Sequence, residues 1–460
     1  MKYTDLQFLK IVKASLYGEQ YREKSGENLG ESHGERSGES IQPDEDSPCK
    51  EVLSNIDYRR LFYLAEIHKV FPLVCETLVR SSLDVNTVSF KKCCDEAVRQ
   101  VYSQLSRTDD FLRLYQFLRG KGLEPLVVKG LIVRQLYALP CHRISMDEDV
   151  LIEKGEFNRY HQALTEWGME LVHPGQDIEK EYEVSYRDPN SNMYIEVHKT
   201  LFPPGSEVYG DLNDFFENVL EHTIHCNIYK PTDKDQKEPV SVRCMNHTDH
   251  FLYMFFHTFK HFLHSGFGVR QICDMALYGE VYFKEINWED IWKKAEMIHG
   301  DELLRAIIAI GIRCFLKKDA FMRSRFKEWR LDSVEMEPLL TDILEAGRNG
   351  RSSYSRIHSS SMTLQAMADQ RNERRESGIL KKSMQSVFLP LSTMKHRYPY
   401  LRKCPWLLPA AWSQRMMGYI KELHRTDRNY NSIQDSIRQG RKRIQLMEKY
   451  RILTRDKGRR

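Results

Sequence analysis

Three acidic residues in the second quarter of the chain have the types and spacing of a divalent-cation site. Asp147 and Asp149 lie two apart in residues 146–152, which read as a β-strand, and Glu196 lies in a later strand over Tyr194–His198. Because alternate residues of a strand point to the same face, the two aspartates can aim at one point, and Glu196 can join them from a neighbouring strand. Carboxylates suit Mg²⁺ (or Mn²⁺) bound together with substrate phosphates, and such ions promote phosphoryl-type displacement.

An Asp-x-Asp pair taken alone is more often a solvated loop, so the elements around it decide its interpretation. Leu126–Val128 is a short apolar run that predicts a buried strand. Gly130 follows it and permits a tight exit or the close approach of a phosphate. Residues 131–138 predict a short helix, which Pro140 stops.

A β-hairpin is predicted around the turn Asp-Pro-Asn-Ser-Asn at residues 188–192, with strands over 182–187 and 193–199. In the second strand Tyr194, Glu196 and His198 share one face, while the intervening residues are apolar. This alternation is what a sheet with one catalytic face requires.

Several short motifs surround these acids in a fixed order. They are Lys129-Gly130, Leu136-Tyr137, Pro140, Arg143, Asp147-x-Asp149 and Ile195-Glu196-x-His198. In order and spacing they resemble the uncharacterised nucleotidyltransferase family of bacteria, part of the DNA polymerase β-like nucleotidyltransferase superfamily. The resemblance continues through His257, His261, residues 270–276, 397–399 and 405–409, and Arg415.

The resemblance implies transfer of a nucleoside monophosphate from a nucleoside triphosphate to an acceptor hydroxyl, with release of pyrophosphate. Asp147 and Asp149 would hold the metals, and Glu196 would complete the site near the attacking hydroxyl and assist its deprotonation. Because clustered carboxylates repel one another, we expect Asp149→Asn to abolish transfer while hardly changing, or slightly raising, the stability of the metal-free protein.

Six further residues are candidates for binding the nucleotide: Lys129, Gly130, Arg143, His198, His257 and His261. Lys129 and Arg143 are suited to triphosphate oxygens, although each can equally be an ordinary surface charge. The sequence does not identify the acceptor, which can be a small molecule, a sugar, a protein side chain or RNA.

Two positions depart from the superfamily pattern. The usual Gly-Ser or Gly-Gly after the first strand is Lys129-Gly130-Leu131 here, so no serine hydroxyl is available to hold a phosphate. Glu148, between the aspartates, replaces an apolar residue and faces the side that should be buried. Because a buried unpaired carboxylate is costly, either the strand end is exposed or Glu148 has a cationic partner.

Four histidines, His250, His257, His261 and His264, lie on one side of a predicted aromatic helix. Packing and lining of the active-site cleft are equally favoured roles for this stripe. Zinc chelation is less favoured, because Thr258 stands where zinc proteases carry glutamate. Further along, Arg270 and Asp274 have the spacing of an i,i+4 ion pair.

The composition is that of a globular protein with a substantial core, at 460 residues and 41% apolar. Such a length allows two or three domains. The N-terminus lacks a signal-peptide pattern, no long apolar run predicts a transmembrane helix, and the ten cysteines have no metal-ligand spacing. We therefore expect a cytoplasmic protein with reduced thiols.

The last 23 residues are strongly basic. From Arg438 to Arg460 there are ten Lys or Arg and two acids, which leaves the rest of the chain at about −4 of a net +4. A basic tail can contact nucleic acid or an anionic membrane surface. A solvated, frayed helix is the favoured interpretation, because no aromatic residues are interleaved as in a recognition module.

The predicted fold class is α+β, a small mixed-sheet nucleotidyltransferase core flanked by N-terminal and C-terminal helical regions. The predicted units are a short helix at 1–20, a Gly/Ser/Glu linker at 21–48, helices at 49–120, the core at 121–245, helices at 246–330, and a C-terminal region at 331–460 with a polar loop and the basic tail.

Two other functions remain open from sequence. One is a catalytically inactive module of the same fold that binds a nucleotide or a partner, which the missing serine and Glu148 favour. The other is a helical interaction protein whose acids are incidental, which predicts no response to metal.

Overall fold

The computed structural model describes residues 2–17, 56–80, 88–206, 208–230, 238–264, 266–316, 326–346, 398–402, 404–415 and 433–453, with single residues at 364, 367, 391, 394 and 417. The predicted linker at 21–48, most of the predicted polar loop at 347–380 and the last seven residues lie outside this part of the chain. Where the predicted units begin and end as domains stays a prediction.

Helices precede the sheet, as the apolar periodicity predicts. They are α1 (Tyr3–Ser15), α2 (Tyr58–Ile67), α3 (Phe71–Arg80) and the long α4 (Val88–Gly120). In α1 the side chains of Phe8 and Val12 are fully buried, whereas Leu6 is exposed. The inward face of α1 packs against α3, so this first helix is part of the core.

A seven-stranded mixed sheet forms the centre of the molecule. Its strands are β1 (Leu126–Val128), β2 (Glu148–Leu151), β3 (Glu170–Leu171), β4 (Glu183–Arg187), β5 (Tyr194–His198), β6 (Thr223–Ile228) and β7 (Val240–Met245). The order is β3-β4-β5-β2-β1-β7-β6. β2 runs antiparallel to β1 and parallel to β5, and β1 runs parallel to β7. The α+β class is therefore confirmed.

The alternation of side chains divides the sheet into two faces. Val127 and Val150 point to the face that packs against α4 and against α6 (Phe157–Trp167). Val128 and Leu151 point to the other face, towards the helices that follow the sheet. Because Asp149 is two residues from Leu151, its carboxylate belongs to this second face.

Four helices follow the sheet on the side of its second face: α7 (His247–His264), α8 (Val269–Val281), α9 (Trp288–Met297) and α10 (Asp301–Cys314). α7 packs against β7 and α8, while α9 and α10 pack against these two helices. Shorter elements follow, among them α11 (Glu337–Ala346) and α12 (Ile433–Lys449). None of the helices in the described ranges is long and apolar enough to cross a membrane.

Two predictions of local structure need correction. The helix expected over 131–138 is α5 (Gly130–Arg134), one turn shorter, and Pro140 begins a 3-10 turn. The prediction that the C-terminal helix is solvated and frayed is also wrong for residues 433–453. Met447 and Ile452 are fully buried there, and the buried Arg443 donates to the carbonyl of Phe262 in α7. The basic helix α12 is thus anchored by an apolar face.

Candidate active site

A cavity of about 330 Å³ lies between the second face of the sheet and helices α7 and α8. All nine residues that the sequence singled out line it: Lys129, Gly130, Arg143, Asp147, Asp149, Glu196, His198, His257 and His261. They come from five separate segments of the chain. The fold therefore brings the candidate residues together, while their individual roles stay predictions.

Strand register places the carboxylates side by side. β2 and β5 are parallel, with Asp149 opposite Glu196 and Leu151 opposite His198. Residues opposite one another in a sheet share a face, so Asp149 and Glu196 point into the same cavity. Asp147 lines the cavity as well, but β2 begins at Glu148, so Asp147 stands one residue before the strand instead of within it.

His198 lies among the acids. Its Nε2 is 3.3 Å from Oδ1 of Asp149 and 3.9 Å from Oε2 of Glu196, and its Nδ1 is 3.6 Å from Oε2 of Glu183. Asp149, Glu196 and His198 offer ligand atoms that all lie within 4.8 Å of one another, the only such group found in the described ranges. The sequence predicted that His198 binds the nucleotide. In the structure its position suits a metal ligand equally well.

The electrostatics of the two central acids are opposite. Burial alone would raise the pKa of Asp149, but Lys129 and His198 outweigh it and hold that pKa well below its usual range. For Glu196, burial and the negative charges of Asp149, Glu183 and Asp147 act together and raise the pKa to about 8. The cluster thus combines one carboxylate whose pKa is lowered by its cationic neighbours with one whose pKa is raised by its anionic neighbours.

These shifts reverse the expected stability of Asp149→Asn. The low pKa of Asp149 means that its carboxylate is favoured in the folded protein. Its Oδ2 lies 3.1 Å from Nζ of Lys129, so an amide there removes the counterion of a largely buried ammonium. We now expect this substitution to destabilise the metal-free protein.

The backbone of Lys129 is held in an unusual conformation directly after β1. Its φ of 37° and ψ of −79° lie where residues other than glycine are rarely found. The backbone N–H donates to Nε2 of His250 at 3.0 Å. Burial lowers the pKa of His250 to about 3, so its ring is neutral and can accept this bond. His250 therefore has a structural role behind the cavity.

Glu148 has the cationic partner that its burial requires. Its Oε1 lies 2.5 Å from Nη2 of Arg134 in α5, and both side chains are at most 3% exposed. Arg134 also donates to Thr108 of α4 and to Ser145. A Cβ added at Gly130 would lie 2.9 Å from Oε2 of Glu148, so glycine is needed there for packing. Glu148 thus ties the start of β2, between the two aspartates, to α5.

Arg143 is already engaged by a carboxylate. Nε and Nη2 donate to the two oxygens of Asp274 at 2.9 and 2.8 Å, and Tyr137 donates to the same group. Arg270, the predicted partner of Asp274, donates to the carbonyl of Ile144 and adds positive charge nearby. A bidentate grip of Arg143 on phosphate is therefore unavailable while this pair persists, although Nη1 has no hydrogen-bond partner among the described residues.

The donor set fits a divalent cation. Oδ2 of Asp149 is buried and receives no aligned hydrogen bond in the described part of the chain, although an ammonium is near. Carboxylate oxygens of this kind, together with a water-accessible Asp147, are the ligands that Mg²⁺ and Mn²⁺ prefer.

Comparison with known families agrees with this geometry. The model of the family described as uncharacterised nucleotidyltransferase matches residues 54–315, more than half of the chain. The protein belongs to this family. The searches of curated proteins and of solved structures found no match. Within the matched range lie the whole sheet, the cavity and helices α2 to α10.

This nucleotidyltransferase-family protein has further cavity residues that the sequence reasoning missed, notably Glu183, Tyr253 and Lys260. Glu183 pairs with His198 across the hairpin, a position that counting back from the predicted turn would have given. Lys260 lies three residues after His257, on the same side of α7. Tyr253 lies under Lys129: the Nζ atom of Lys129 is 5.8 Å from the centre of the Tyr253 ring.

The histidine stripe divides along α7. His250 is buried and His264 is exposed, whereas His257 and His261 line the cavity with their Nε2 atoms 3.2 Å apart. Cleft-lining therefore describes the middle two, and packing describes His250. They do not form a three-ligand metal group among the described residues.

Proposed function

We propose that this protein transfers a nucleoside monophosphate from a nucleoside triphosphate to an acceptor hydroxyl, with Mg²⁺ or Mn²⁺. The observation that carries the proposal is the parallel register of β2 and β5, which sets Asp149 beside Glu196 at one end of the cavity. Membership of a nucleotidyltransferase family supports the same chemistry.

Each wall of the cavity has a role in the proposal. Asp147, Asp149 and Glu196, with His198 beside them, are the ligands for the cation, which when bound adds positive charge next to the triphosphate and favours ionisation of the acceptor hydroxyl. The facing wall carries His257, Lys260 and His261, which suit the anionic phosphates.

Glu196 is the candidate proton acceptor. Its pKa of about 8 in the cation-free protein shows that it holds a proton more tightly than Asp149 does. A bound cation would favour the ionised form of Glu196, which is the form that can accept a proton. It is also about 29% exposed, so an acceptor hydroxyl can approach it from the cavity. Asp149 is unsuited to this step, because Lys129 and His198 keep its proton affinity low.

The pairing of Glu148 with Arg134 weakens the case for an inactive module. That acid is a buried structural partner, so it is no longer a sign of a lost site. The absence of a serine hydroxyl after β1 remains, and Lys129 is the group that offers a phosphate contact at that point.

The test is transfer of label from α-³²P ribonucleotides, with Mg²⁺ or Mn²⁺, into separated small-molecule, RNA and protein fractions, together with pyrophosphate release. We expect transfer by the natural chain and none by Asp147→Asn, which leaves the Lys129–Asp149 pair intact. Asp177→Asn, an exposed acid paired with Lys180, is the control. An Asp147→Asn variant as active as the control would contradict the site. Nucleotide-dependent thermal stabilisation without any transfer would instead indicate the inactive binding module.

A further inference from the structure

The ammonium of Lys129 lies at the oxygen that a cation would need. Nζ is 3.1 Å from Oδ2 of Asp149 on one side and 3.1 Å from Nε2 of His257 on the other. A divalent ion bonded to Oδ2 would face this ammonium at close range, with both charges positive. The observed position of Lys129 and a cation on Oδ2 therefore exclude each other.

Only the side chain of Lys129 needs to move for the oxygen to become available. Its backbone is fixed by the bond to His250 and by its position directly after β1. The side chain is 20% exposed, against 3% for Asp149, and it has a flexible four-carbon stem. Its one ion pair among the described residues is with Asp149. The ammonium can thus swing into the cavity while the carboxylates stay in place.

The cavity offers a ligand that would draw the ammonium away. A triphosphate against the wall of His257, Lys260 and His261 would bring several negative charges within reach of Lys129. Lysine binds phosphate as a point charge, without the fixed geometry that arginine requires. Exchange of one carboxylate for a polyphosphate is therefore favourable for this side chain.

We infer that Lys129 is a displaceable counterion that closes the cation site until a triphosphate draws it off Asp149. This inference rests on the proposed function and adds to it a coupling between the two ligands. The coupling is reciprocal: the triphosphate increases affinity for the cation, and the cation increases affinity for the triphosphate by the same factor. In this scheme Lys129 binds the triphosphate and, by leaving Asp149, opens the site to the cation.

The experiment measures binding of Mn²⁺ alone to the 460-residue chain by electron paramagnetic resonance, without nucleotide. We expect Lys129→Met to bind Mn²⁺ at least about tenfold more tightly than the natural chain, because the competing charge is gone. Lys129→Arg, which keeps the charge, should bind weakly like the natural chain. Lys260→Met is the matched control: it removes a cavity cation that has no ion pair with Asp149 in the described ranges, and we expect a change of no more than about threefold.

A second readout separates this coupling from a structural role. Melting of Lys129→Met should occur at a lower temperature than that of the natural chain without metal, and Mn²⁺ should restore it by a larger shift. Water-proton relaxation with α,β-methylene analogues of the four ribonucleotides measures the ternary complex. There we expect the analogue to tighten Mn²⁺ binding by at least about tenfold in the natural chain and by less in Lys129→Met. If Lys129→Met does not fold, Lys129→Gln is measured in its place.

The outcomes separate the inference from the function. Equal Mn²⁺ affinity of Lys129→Met and Lys260→Met overturns the counterion role, while nucleotide-dependent uptake of Mn²⁺ by the natural chain still supports the proposed function. Absence of Mn²⁺ binding in every variant, with and without nucleotide, overturns the proposed function and the inference with it.

Discussion

Replacement of Glu196 by glutamine is expected to remove a pH dependence from the stability of the metal-free protein. Burial, together with Asp149, Glu183 and Asp147, raises the pKa of Glu196 from 4.5 to about 8. Between these two values the folded protein holds a proton that the unfolded chain has lost. Stability contributed by this group therefore falls as the pH rises through that window, and glutamine has no proton to lose.

The magnitude follows from the size of the shift. Between pH 5 and 7.5 a pKa moved from 4.5 to about 8 corresponds to a loss of about 3 kcal/mol. The side chain is 29% exposed, and solvent screening reduces this to about 2 kcal/mol. The buried histidines His68 and His250, whose pKa values are lowered to about 3, produce the opposite slope in the same window. Only the difference between the two proteins therefore isolates Glu196.

The assay is urea unfolding of both proteins in chelator at pH 5, 6, 7 and 7.5. We expect Glu196→Gln to gain about 2 kcal/mol on the natural chain between the lowest and highest pH. Glu170→Gln, an exposed glutamate of β3, controls for the loss of one surface charge. A difference that does not change with pH would refute the reasoning, because it would mean that the acids do not crowd one another in solution.

Three further predictions concern stability. Asp149→Asn should lower the free energy of unfolding of the metal-free protein by about 1–3 kcal/mol, because Lys129 loses its counterion; unchanged urea unfolding would contradict the pair. Arg134→Met should lower it by about 3–5 kcal/mol, and adding Glu148→Gln should recover part of the loss, whereas a neutral single variant would show that the buried pair is absent. Deletion of residues 21–48 should change the melting temperature by less than about 2 °C, because that composition buries little apolar surface; a sharp drop in calorimetry would show otherwise.

Local patterns were sufficient to predict which residues share a face of the sheet. The two-residue alternation in Tyr194–His198 and the turn at 188–192 led directly to β4 and β5, and the structure confirms both strands. The period of apolar residues and the residue types of a turn depend only on a few neighbouring positions, so they can be recognised in a single sequence.

Contacts between distant segments could not be predicted in this way. Asp274 is 131 residues from Arg143, and its spacing to Arg270 indicated a different pair. A cationic partner for Glu148 was one of two alternatives, and Arg134 was not identified as that partner, because it reaches Glu148 only through the tight exit of the chain at Gly130. Sequence spacing describes neighbours along a helix or strand, whereas these pairs depend on how the elements pack.

In the proposed function, the acids of β2 and β5 and the adjoining Asp147 hold a divalent cation together with a nucleoside triphosphate. Anomalous diffraction from crystals grown with Mn²⁺ and an α,β-methylene ribonucleotide tests it directly. We expect a manganese peak at bonding distance from Asp147, Asp149 and Glu196, with the triphosphate beside it and the Lys129 ammonium moved off Asp149. A manganese peak at His257 and His261, with none at the three acids, would contradict it.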